Sequence, residues 1–83
     1  MFDKLKQLNE LRKMKNAMQA ETVTAERNGV KITINGSFNV EDLSISPEAR
    51  QNGSLEKDLR ACFNDAVGKI QTTLAQKFSS MMQ

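Results

Sequence analysis

The chain has no histidine, tyrosine or tryptophan, a single cysteine, a single proline and four glycines among 83 residues. Each scarcity removes a class of chemistry. Without histidine, the commonest general base near neutral pH is absent. The lone thiol, Cys62, cannot form an internal disulfide, and a reducing cytosol is the expected compartment. It sits on an apolar helical stripe beside Phe63, where a buried cysteine behaves as an inert small hydrophobe. All four phenylalanines fit core or interface positions, so no aromatic platform for single-stranded bases is visible. No long apolar run opens the chain, and neither a signal peptide nor a membrane span is expected. The neighbouring carboxylates Glu41 and Asp42 lie in a strand pattern and would point to opposite faces, which makes a poor acid–base pair. There is no glycine loop for phosphate and no metal-ligand spacing. The expectation is a protein with no catalytic residue, no metal and no cofactor, hence not an enzyme.

What is present is helix-forming and charged. Twelve basic and ten acidic residues leave a net charge of +2, unevenly spread. Residues 1–20 carry Lys4, Lys6, Arg12, Lys13 and Lys15 against two acids, whereas residues 21–53 are net acidic. Polyanion binding therefore falls to the helices. From Asp3 to about Ala20 the sequence predicts a helix capped by Asp3, with Leu5, Leu8, Leu11, Met14 and Met18 recurring every three to four residues. Lys6 and Lys13 sit on its polar side.

Glu21–Arg27 reads as a strand. Asn28-Gly29 follows as a two-residue hairpin turn, and Val30, Ile32 and Ile34 then alternate with polar residues. Asn35-Gly36 begins another turn, followed by a strand from about Phe38 to Ser46. Ser46-Pro47-Glu48 marks one helical turn. Ser54 is expected to cap a long helix whose stripe runs Leu55, Leu59, Cys62, Phe63, Ala66, Val67, Ile70, Leu74, Phe78 and Met81. Glu56–Arg60 and Asp65–Lys69 have the spacing of favourable helix pairs. Met81 and Met82 end that helix. Gly68 stands in its middle without an evident reason.

The expected fold is α+β: an N-terminal helix, a three-stranded antiparallel meander and a long C-terminal helix, α-β-β-β-α, in one domain over residues 1–83. A helix of roughly 27 residues spans about 40 Å, against about 17–24 Å for strands of five to seven residues. Leu74, Phe78 and Met81 should therefore overhang the sheet; the opening helix is expected to cover part of them and a second copy of the chain is the other expected cover.

Val30-Lys31-Ile32, Asn35-Gly36, Ile45-Ser46-Pro47 and Asn64-Asp65-Ala66, in that order behind a Met/Gln/Lys-rich helix, closely resemble the YbaB/EbfC family of bacterial nucleoid-associated proteins. The resemblance implies an intertwined, tweezers-like homodimer in the cytoplasmic nucleoid. It also implies binding to double-stranded DNA with little sequence preference and an influence on gene regulation. By charge alone, Lys4, Lys6, Arg12, Lys13 and Lys15 are the first candidates for phosphate contact, and Lys69 and Lys77 the second. Leu74, Phe78 and Met81 are the candidate dimer contacts. The alternative is a protein-interaction adapter in DNA repair or replication, docking through Met-rich helix ends with incidental DNA affinity. The mixed charge on the long helix argues against a membrane role.

Overall fold

The computed structural model describes the backbone of residues 2–81 and the side chains of residues 4–79. The expected order is present: α1 (Phe2–Ala20), β1 (Thr22–Arg27), β2 (Val30–Asn35), β3 (Val40–Ile45), α2 (Pro47–Gln51) and α3 (Leu55–Met81). The side chains of Asp3, Met81 and Met82, expected to cap the first helix and to end the last, lie outside the described residues.

The strands form one antiparallel sheet in the order β1-β2-β3. Asn28 and Gly29 both have positive φ, which is the reason this pair makes the tight first turn. Register aligns Val30, Ile32 and Ile34 with Arg27, Ala25 and Val23 on β1, and with Ile45, Leu43 and Val40 on β3. Paired residues share a face, so one side of the sheet is apolar. The other side carries the polar alternates, including a Thr24–Thr33 hydroxyl contact of 2.8 Å.

The third strand starts later than the sequence pattern suggests. Phe38 takes a left-handed φ of 63° in the turn, and β3 begins at Val40. Asn35 explains this turn: its Oδ1 accepts from the backbone N–H groups of Ser37 (2.8 Å) and Asn39 (3.2 Å). The register then shifts so that Glu41 is the extra residue of a bulge on this edge strand.

Helix α3 lies across β1 and β2 and scarcely touches β3. Its Cys62, Ala66 and Ile70 are fully buried against Ala25, Val30, Ile32 and Ile34. The Cys62 thiol donates to the Ala25 carbonyl at 3.3 Å, and burial pushes its pKa up. Ser54 does not cap α3 through its side chain as expected. Its hydroxyl donates to the Asp58 carboxylate at 2.8 Å, while Asn28 of the first hairpin donates to the same carboxylate at 3.0 Å. Asp58 is thus 7% exposed yet fully partnered, and the Asn28 bond, joined by that from Ser54, holds its carboxyl below the ordinary value. Ser46 does cap α2, accepting from the Ala49 N–H at 3.1 Å.

Two expectations about packing are corrected. Leu74 does not overhang the sheet: it is 9% exposed in the core, and Phe78 is half-buried against that core. The turn at Gly36 lies against Leu74, and Met18 at the end of α1 packs on the same core, in line with the partial cover expected from the opening helix. Conversely, the α1 stripe does not pack on the body. Leu5, Leu8, Leu11 and Met14 are exposed, and Met18 alone is packed against the core. Spacing and placement account for this. Leu5 and Met14 point in opposite directions, and although Leu11, Met14 and Met18 share a face within about 60°, α1 meets the body near Met18 and its earlier turns have nothing to pack on.

Candidate nucleic-acid interface

Helix α1 carries the charge and stands almost clear of the body. Lys4, Lys6, Arg12, Lys13 and Lys15 are all exposed along one helix. They form two rows, because helical geometry sets Lys6 and Lys13 on one side and Lys4 and Lys15 on the other. Over its 19 residues α1 spans roughly 28 Å, which makes it an arm.

The arm is fixed at one end. The Met18 carbonyl accepts from the Glu21 N–H (3.1 Å) and from the Gly36 N–H (3.0 Å), the latter also shared with the Glu21 carbonyl. A Cβ at position 36 would lie 2.1 Å from the Met18 oxygen. Gly36 is therefore required by the close approach of α1 to the end of β2, and not by its own φ. The sequence pattern places Gly36 in a turn and gives no sign of this joint, because nothing local reveals a carbonyl arriving from 18 residues upstream.

Lys69 and Lys77 do not join the arm. Lys69 reaches across to the free edge of β1 and donates to the Thr24 carbonyl at 3.1 Å, and Lys77 pairs with Glu21. Asp65, expected to pair with Lys69 on its own helix, instead bonds Arg27 at 2.9 Å. The three contacts form a polar seam between α3 and β1. Lysine and charge on an exposed edge strand oppose the pairing of another chain there. Beside the seam runs an open groove of about 650 Å³ lined by Val23, Ala25, Glu26, Asp65, Gly68 and Thr72, among others. Its two carboxylates outnumber its one cation, Lys69, and make it a poor place for phosphate. Gly68 on its rim meets nothing: a Cβ there would have no heavy atom within 4 Å.

Among the described residues, no group of three histidine, cysteine or carboxylate side chains could hold a metal ion. No described helix is long and apolar enough to cross a membrane. The structure thus offers a basic, largely unpartnered arm on a small sheet-and-helix body. A family model described as the YbaB/EbfC DNA-binding family matches residues 1–83, the whole length of the chain. With the α-β-β-β-α order in place and the match complete, the chain belongs to the YbaB/EbfC DNA-binding family, and by that membership is a nucleoid-associated DNA-binding protein.

Proposed function

We propose that the protein is a homodimer that holds duplex DNA between its two α1 arms, in the cytoplasmic nucleoid. Sequence-independent phosphate contacts supply most of the affinity. The observation that carries this reading is the exposure of all five α1 cations on a helix that meets its own body at one end. Each lysine or arginine that neutralises a phosphate releases counterions, so affinity falls steeply with salt. Lys69 and Lys77 rank second, since each would have to leave its partner, Thr24 on β1 and Glu21 just before it, to reach a phosphate.

The dimer reading has its own support. Helix α3 covers only part of the apolar sheet face, and Val40 and Leu43 on β3 stay 51% and 50% exposed. Phe63 lies on the flank of α3 turned away from the Arg27–Asp65 seam, and it too is exposed. An uncovered sheet strip beside an uncovered helix flank is self-complementary: a two-fold axis would set each flank on the other copy's strip. The candidate contacts shift accordingly to Val40, Leu43 and Phe63, with Phe78 at the margin. An adapter for a repair or replication protein would dock through the Met-rich helix ends and leave this sheet strip uncovered, whereas a second copy accounts for the strip without a further partner.

The test is a gel-shift titration on random duplex DNA repeated across salt, with wild type and the Lys6→Ala, Lys13→Ala double variant. Removing one phosphate-binding cation should flatten the slope of log K against log salt by about 0.9, up to roughly 3.6 for a dimer carrying both changes. A folded double variant with unchanged affinity and slope would remove this side of α1 from the DNA site.

A further inference from the structure

The two lysine rows of α1 border a strip with a different character. Leu5, Asn9, Arg12 and Asn16 fall within roughly 60° of one another round the helix. Lys4 and Lys15 flank them on one side, and Lys6 and Lys13 on the other. All eight side chains are exposed, the leucine included. Glu10, exposed on the same helix, lies about 130° from the strip's centre. So does the body of the protein: Met18, the α1 side chain packed on the core, points about 150° away. The strip is the part of α1 that faces most directly outward.

An α-helix with its side chains is about 10–12 Å across, and the major groove of B-DNA is about 12 Å wide. A helix lying in that groove meets phosphates on both walls and base edges on the floor. Two cation rows with two amides, a guanidinium and the apolar Leu5 between them match that division, since the groove floor offers thymine methyl groups as well as polar base edges. Asparagine can pair bidentately with adenine, and arginine with guanine. Resting on the reading that α1 binds duplex DNA, we propose that α1 enters the major groove with Asn9, Arg12 and Asn16 against base edges and the flanking lysines on the two backbones. The three side chains add a short preferred sequence to the sequence-independent binding that the lysines supply. Phosphate contacts position the helix and the strip reads, a division general to protein–DNA interfaces.

The experiment is selection from a random duplex pool with the full chain, followed by titration of the enriched duplex and a scrambled one. Wild type should enrich a short motif containing adenine and guanine at fixed spacing. Asn9→Ala, Arg12→Ala and Asn16→Ala should each lower affinity for the enriched duplex by about five- to a hundredfold relative to the scrambled one. The two asparagine variants should keep the salt slope of wild type, since neither removes a charge. Circular dichroism checks that the helix persists. A selection that returns no motif overturns the inference, as does a motif that all three variants bind as tightly as wild type. If wild type binds every duplex equally and the lysine double variant loses that binding, phosphate binding by α1 stands and base reading falls. If wild type binds no duplex, both fall.

Discussion

Single residues set two features of this fold that a periodic pattern does not show. Asn28 was legible as half of a tight turn, since Asn-Gly supplies two positive φ values. Its second role was not. Its amide crosses 30 positions of sequence to bond Asp58 at the start of α3, and a sequence offers no way to pair two such distant polar residues. This bond gives a pH dependence. The folded carboxyl of Asp58 titrates below its ordinary value, so its contribution to stability is full above the unfolded carboxyl range, near pKa 3.9. It is lost as pH falls through the lower, folded value. Asn28→Gly keeps the positive φ and removes the bond. Thermal melts between pH 6 and pH 2 should show the variant less stable than wild type at the upper end, with the gap narrowing as the acid end is approached. A gap of constant size across that range would mean the bond does not hold the carboxyl low. Cys62 is the contrasting case. Its burial was readable from the helical stripe because burial there follows from periodicity alone.

At the scale of elements, the order of helices and strands was legible because each has its own period: alternation in β2, three-to-four spacing in α3, and turn residues between them. The failures share a cause, which is packing between elements distant in sequence. Leu74, which the sheet alone was too short to cover, lies in the core against the turn at Gly36. The seam of Arg27–Asp65, Lys69–Thr24 and Lys77–Glu21 replaces the Asp65–Lys69 pair expected within α3. The joint at Gly36 is the element-scale feature with the sharpest consequence. Gly36→Ala puts a methyl group against the Met18 carbonyl and has to push α1 away from the end of β2. A cost of about 1–3 kcal/mol is expected, in the range of overpacked sites. The unfolding midpoint in urea reads it directly. The same variant should keep the salt slope of DNA binding, since every lysine remains, while losing affinity because the arm is no longer held. Wild-type stability in the variant would show that α1 does not depend on this joint.

The whole molecule is more open than a compact chain of its length. Its radius of gyration is 16.8 Å, with extents of 58 × 23 × 15 Å, whereas a compact domain of this length has a radius of about 12 Å. It exposes 6402 Å², roughly 1,400 Å² more than the approximately 5,000 Å² of a compact chain of 9.3 kDa. A standard interface buries about 800 Å² on each partner, so the excess is large enough for one. A helix of 19 residues with its leucines in water is also marginal unless its apolar side chains find cover. Light scattering at micromolar concentration should therefore give twice the 9.3 kDa of the chain. Leu43→Asp, placed on the open strip of β3, should shift the protein toward the protomer mass. A protomer mass for wild type would remove the dimer.

The dimer, the arms and the duplex come together in one measurement: the map of amide chemical-shift changes when a short random duplex is added to isotope-labelled protein. The largest changes should run along α1 from Lys4 to Asn16, with little change on the polar face of the sheet around Thr24 and Thr33 or along the Arg27–Asp65 seam. Changes centred on that seam or that sheet face, with α1 undisturbed, would contradict DNA binding by the arms.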